Sequence, residues 1–182
     1  MQPIKSKPGL LNHFAQRTEK VRGHFAHVPK LVAEFPLDVT LAYMFALVEQ
    51  AHIMALYCGI VKLHRTDTTL TLTAVHGFHM TREGFRTKFD LIYGKGLSKP
   101  TIDLLKFAED VRDDVMHGKT ASDDRIRNAI AHVLQYADDM NTETSALNGP
   151  RPFGALRGFK GRGKSLEKGT SRWVLKGMGL GV

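Results

Sequence analysis

Cysteine is almost absent: Cys58 stands alone among 182 residues. A single thiol excludes a disulfide framework within the chain and a cysteine-based zinc site, and it fits a reducing, cytoplasmic setting. No secretory leader is expected, because Met1 to Pro8 is polar and basic and no apolar run follows directly. Asp, Glu, His and Cys do not recur at metal-ligand spacing, so neither a metal nor a cofactor is expected. Acids are scarce in one region above all. From residue 150 onward Glu167 is the only acid, against Arg151, Arg157, Lys160, Arg162, Lys164, Lys168, Arg172 and Lys176. The total formal charge is +8, so the rest of the chain is nearly neutral and the basic character lies in the C-terminal segment.

What is present is mostly helical in pattern, and the length suits one domain with a buried core plus two ends. Leu10, Leu11 and Phe14 suggest a helix from Leu10 to about Arg22, within a basic segment, residues 1–36, expected to be peripheral. After Pro36, Asp38 is placed to cap a long apolar helix, and Leu41 to Val61 runs 21 residues of mostly Leu, Met, Phe, Ala, Val and Ile. Its length would suit a membrane span. Glu49, Gln50 and His52 in its middle argue against one, since a central charge costs roughly 2.5–3.5 kcal/mol on insertion scales. A helix buried in a bundle or at a dimer interface is expected instead. Glu49 and His52 share a face at i, i+3, either as a satisfied buried pair or lining a cleft.

Thr69-Leu70-Thr71-Leu72-Thr73 alternates with period two and suggests a short strand or extended insert over Thr66 to Val75. His76-Gly77-Phe78-His79 reads as a solvated loop. Thr81 opens a further helix with Glu83 in its first turn and Phe85, Phe89, Leu91 and Ile92 on its apolar side, stopped by Gly94 and Gly96. Ser98-Lys99-Pro100 opens the next, on which Leu105, Ala108, Val111, Arg112 and Val115 recur at helical spacing. Ser122-Asp123-Asp124 caps the last, with Ile126, Ile130, Val133, Leu134 and Ala137 as its core stripe and His132 off that stripe. From Gly149 the chain turns glycine-rich and basic, with Phe153, Phe159 and Trp173 interspersed. Such a segment is expected to be a flexible tail, suited to RNA through phosphate attraction and base stacking. Arg151, Arg157, Lys160, Arg162 and Lys164 are its candidate nucleic-acid contacts.

The chemistry concentrates in Val111-Arg112-Asp113-Asp114-Val115-Met116-His117-Gly118-Lys119. Arginine offers a permanent charge and a planar fork of donors for phosphate oxygens. Histidine takes or gives a proton near neutral pH. Together they suffice for metal-free phosphodiester chemistry, one group holding the phosphate charge and the other moving the proton. The bare Arg-x4-His spacing is weakly specific, since chance alone predicts about 0.6 matches in a chain of this composition. Three occur, at Arg22/His27, Arg112/His117 and Arg127/His132. Arg22 is followed by glycine rather than a polar residue. Arg127-Asn128 lies inside the last helix. Arg112/His117 ends a helix, is closed by Gly118 and precedes a loop and a final helix.

That order resembles the HEPN superfamily, whose signature is an Arg, a polar residue, a few further positions and a His near the end of a small helical bundle. The resemblance covers roughly Leu37 to Met140. Asp113 fills the polar position, and Lys119 stands where a variant of the motif carries tyrosine two positions after the histidine. The resemblance implies an all-α bundle of four or five helices over residues 37–145, here with one extended insert, followed by the tail at 146–182. It also implies a metal-independent endoribonuclease, possible as a toxin or phage-defence effector, that yields a 2′,3′-cyclic phosphate and a 5′-hydroxyl. Arg112 and His117, with Asp113, would be catalytic, and Arg127 and His132 are the alternative pair. The implied partners are RNA, a second copy of the chain placing two Arg/His pairs at one cleft, and an antitoxin protein; no membrane is implied. Glu49 is the candidate to line that cleft, and Asp114, three residues before His117, is placed to orient its ring. The competing expectation is a non-catalytic dimeric binding or scaffold module of the same family, or an RNA-binding protein acting through its tail.

Overall fold

The computed structural model describes residues 2–155 and 165–182; Arg157, Lys160, Arg162 and Lys164 therefore lie outside the described residues. Among the described residues the structure is all-helical, with nine helices and no strand. They are α1 (Lys7–Ala15), α2 (Glu19–His24), α3 (Val28–Glu34), α4 (Leu37–Leu63), α5 (Thr68–His76), α6 (Arg82–Tyr93), α7 (Lys99–Met116), α8 (Asp123–Ala146) and α9 (Lys168–Gly177). Contacts divide the chain into two compact units. One holds Met1–Glu49, Ser98–Met140 and Phe153–Ala155; the other holds Gln50–Leu97, Asn141–Pro152 and Leu156–Val182.

In the first unit the N-terminal segment is not peripheral. Leu10, Val21, Phe25, Val28 and Val32 are fully buried, and α1 packs on α3. Apolar residues are sparse along residues 1–36, but those five and Phe14 are buried, while Phe35 is exposed. The polar neighbours fasten the segment down: Asn128 Oδ1 accepts from the Ile4 amide at 2.9 Å, and Thr18 donates its hydroxyl to Asp138 at 2.5 Å. Leu105, Ala108 and Val111 of α7 are buried, as are Ile126, Ile130, Val133, Leu134 and Ala137 of α8, the stripe that their spacing predicts. Phe153 is also fully buried, with ring contacts to Phe25 and Tyr136.

In the second unit the expected extended insert is helix α5. Asp67 caps it by accepting from the Leu70 amide at 2.9 Å. The threonine hydroxyls turn inward along the helix, Thr71 to the Asp67 carbonyl and Thr73 to the Thr69 carbonyl. Thr71, Ala74 and Val75 form the buried side, so packing at helical spacing overrides the strand propensity of the Thr/Leu run. Helix α6 starts from Thr81, whose hydroxyl accepts from the Gly84 amide, and stops at Gly94 with φ of 69°, a left-handed conformation that glycine takes without strain. The Tyr93 hydroxyl donates to the Ala55 carbonyl at 2.7 Å and lies over Gly59, where any Cβ would come within 2.5 Å of it. His52 stacks on Phe85 with ring centroids 3.8 Å apart.

The far end of the basic segment is ordered too, which overturns the flexible-tail expectation for the described residues. The Leu166 amide donates to the Arg65 carbonyl, the Ser171 hydroxyl accepts from the Asp67 amide, and α9 packs on α5 with Ser171 and Leu175 buried. Of the described helices, α4 alone is long and apolar enough to cross a membrane, and 61% of its most apolar window is buried inside the protein.

Candidate active site

Helix α7 carries the Arg112/His117 pair, and its local sequence explains why the two residues differ in setting. The Ser98 hydroxyl caps its start, and Pro100 sits in the first turn where no amide is needed. Burial of Leu105, Ala108 and Val111 fixes which side faces inward, and Arg112, directly after Val111, lands at the edge of that side. Its side chain is 28% exposed. The guanidinium carbon lies 4.9 Å from the centroid of Phe45 on α4, and the fork meets Asp113 Oδ1 at 3.0 Å and Glu49 Oε1 at 3.9 Å. Arg112 Nε is buried and has no acceptor. Glu49, a candidate from the sequence, thus does stand beside Arg112. It is largely exposed.

Phe45 was missed by sequence reasoning. Phe45 and Glu49 are four residues apart on one face of α4, so a residue reaching one meets the other. That spacing was the available signal.

His117 is the residue after the last turn of α7. Its amide donates to the Asp113 carbonyl at 3.0 Å, and Gly118, with φ of 70°, turns the chain away. The imidazole is exposed, and no contact among the described residues holds it. Five residues rotate a helix by about 140° net. Arg112 therefore faces α4 while His117 faces solvent at the helix exit, and no contact joins them. Asp114 does not orient His117 either. Its carboxylate accepts from Arg125 at 2.7 Å and Lys119 at 3.2 Å, and these hydrogen bonds hold its pKa below the usual carboxylate range.

The alternative pair is occupied by structure. Arg127 is 8% exposed, pairs with Asp124 and donates Nε to the Ile4 carbonyl at 3.4 Å. His132 is half-buried rather than on the solvent side as its position off the core stripe predicted. Its Nδ1 lies 2.6 Å from the Asn128 carbonyl, and its ring lies 4.6 Å from that of Phe107. Burial lowers its pKa despite that hydrogen bond. Arg127 helps to seat the N-terminal segment on α8, and His132 packs α8 against Phe107 of α7.

Arg151 is exposed. Among the described residues, no three His, Cys, Asp or Glu side chains come together as metal ligands. The chain matches no family model, no curated protein and no solved structure.

The arrangement on α7 offers one preorganised cation with an unsatisfied donor and, one turn away, one exposed proton carrier. A single copy offers one of each.

Proposed function

We propose that the chain is a metal-independent endoribonuclease of HEPN type, working in the cytoplasm as a homodimer. The observation that carries this reading is the contrast between the two Arg/His pairs. Arg127 and His132 are consumed by internal contacts, whereas Arg112 is held on Phe45 with a donor to spare and His117 is open to solvent. In the reaction, a base takes the proton of the ribose 2′-OH, the 2′-oxygen attacks phosphorus, and the 5′-oxygen leaves with a proton from an acid. The products are a 2′,3′-cyclic phosphate and a 5′-hydroxyl. Arg112 would stabilise the charge on the phosphorane oxygens. Two proton carriers are needed and one chain supplies one, so a two-fold axis bringing the second His117 completes the set without further sequence. Asp113 and Glu49 would aim the guanidinium.

The same two carboxylates support a second reading. They partly occupy the Arg112 fork, as expected of a non-catalytic dimeric module in which Arg112 is a structural anchor. Incubating the purified chain with RNA in EDTA separates the two. Cleavage leaving cyclic phosphate ends supports the enzyme. Activity that vanishes in EDTA and returns with magnesium overturns it, and intact RNA at high protein concentration favours the binding module.

A further inference from the structure

Helix α9 presents an outer face that nothing in the ribonuclease reading uses. Lys168, Arg172 and Lys176 recur every four residues and all are exposed. Four residues advance a helix by about 6 Å and return to nearly the same side, so the three cations form one stripe. Trp173, beside that stripe, is 83% exposed, an extreme value for the largest side chain and the only tryptophan in the chain.

The row of α9 that carries Trp173 also holds Gly169 four residues before it and Gly177 four residues after it, and both Cβ positions would open onto empty space. The indole therefore has no side chain above or below it on its own row. Further cations flank the helix. The exposed Arg65 lends its carbonyl to the Leu166 amide just before α9, and the Lys88 ammonium sits 2.7 Å from where a Cβ on Gly179 would lie, just after it. Glu167, at the cap, is the only acid in the helix or at its ends.

We propose that this face of α9 docks single-stranded RNA, with Lys168, Arg172 and Lys176 holding phosphates and Trp173 stacking on a base. The inference rests on the ribonuclease reading only for the identity of the polymer. Aromatic stacking accepts any base, and a row of cations follows the backbone, so the surface is suited to sequence-tolerant binding. A membrane surface fits less well. An interfacial helix needs a broad apolar face to bury in lipid. Here Leu175, with Met178 and Leu180 just beyond, is buried in the protein, leaving Trp173 and half of Val174.

Because Trp173 is the only tryptophan, intrinsic fluorescence reads this face directly. The full-length His117→Ala chain is titrated with a 12-nucleotide uridine oligomer. The expected result is saturable quenching that weakens with salt at a log–log slope of about −2, as for three phosphates on a single strand. Arg172→Glu with Lys176→Glu should weaken binding at least tenfold. Gly169→Leu, which places a side chain against the indole without disturbing a buried contact, should reduce quenching while circular dichroism stays unchanged. Quenching that is absent, or equally strong in the charge-reversed chain, overturns the proposal. So does quenching by phosphatidylserine vesicles or polyglutamate with none by the oligomer. A parallel cleavage assay on the unsubstituted chain keeps the two readings apart. Cleavage without quenching sinks the α9 surface alone, and quenching without cleavage sinks the ribonuclease alone.

Discussion

The Arg112 guanidinium lies 4.9 Å from the centroid of Phe45, a cation seated on an aromatic face from another helix. Such a contact is worth about 1 kcal/mol at a half-exposed site and more where water is excluded. Its further effect is positional, because the ring together with Asp113 and Glu49 fixes where the guanidinium sits.

Phe45→Leu should therefore cost more in activity than in stability. Phe45 is 5% exposed, and replacing it with another large apolar residue should lower stability by about 1–2 kcal/mol. RNA cleavage, measured well below the melting temperature, should fall tenfold or more because Arg112 loses the ring that seats it. Phe45→Tyr, which keeps the ring, should retain most of the rate. Equal rates for Phe45→Leu and the unsubstituted chain would show that the ring only fills space.

The two Arg/His pairs should separate in the same assay. Arg112→Ala and His117→Ala should abolish cleavage and relieve any growth inhibition on expression, with His117→Ala melting like the unsubstituted chain because the side chain is exposed. Arg127→Ala should do the reverse. It removes the hydrogen bond to the Ile4 carbonyl and the packing of the buried Arg127 side chain, a loss of about 1 kcal/mol, with the exposed Asp124 left to solvent, while cleavage persists wherever the chain is folded. His132→Ala should likewise lose stability through Phe107 and Asn128 and keep activity. Activity lost in His132→Ala and kept in His117→Ala would move the site to α8.

How far the sequence foretold this depends on what kind of signal each element carries. Helices α6, α7 and the start of α8 were legible because their boundaries are local chemistry: Thr81 and Gly94, Ser98, and Ser122, whose hydroxyl accepts from the Arg125 amide. Helix α5 was misread because alternation of Thr and Leu fits a strand, whereas the Asp67 cap, the threonine bonds to the preceding carbonyls and the burial of Thr71, Ala74 and Val75 decide for a helix. The N-terminal segment was undervalued because its few apolar residues say nothing of what they pack on. Phe45 beside Arg112 was invisible for the same reason, being a contact between helices distant in sequence. Asp114 shows the converse error, since nearness in sequence suggested His117 as its partner while Arg125, on α8, is the one it meets.

Stability should fall on the acid side of neutrality. His52 is buried against Phe85, and burial, aided by the Arg86 charge, holds its pKa down at about 3. The unfolded value is about 6.5. Between those values the unfolded chain binds the proton and the folded chain does not, so stability is complete above pH 6.5 and is lost as the pH falls toward 3. The loss at the bottom of that window is on the order of 4 kcal/mol for this one residue. His13, His24 and His132 are lowered chiefly by burial and act in the same direction. His52→Phe should flatten the slope of melting temperature against pH between 6.5 and 4. An unchanged slope would assign acid sensitivity to the other three.

Removing residues 150–182 tests how the C-terminal segment is used. Were it only a charged tail, truncation would weaken RNA binding and leave the fold intact. The described part instead buries Phe153 and Leu175 fully and Leu180 nearly so, and it supplies α9 to α5. Each such side chain contributes roughly 1.5–3 kcal/mol by burial, so their joint loss rivals the 5–15 kcal/mol by which a domain of this size is stable. The truncated chain should melt at least 10 °C lower, or lose its cooperative transition in circular dichroism. A point variant separates the two roles of the segment. Leu175→Ala should cost about 2–4 kcal/mol and leave the charge unchanged, whereas Arg172→Glu should change the charge and leave the melting temperature within a few degrees. A truncated chain that melts like the full one would return the whole segment to the status of a solvated tail.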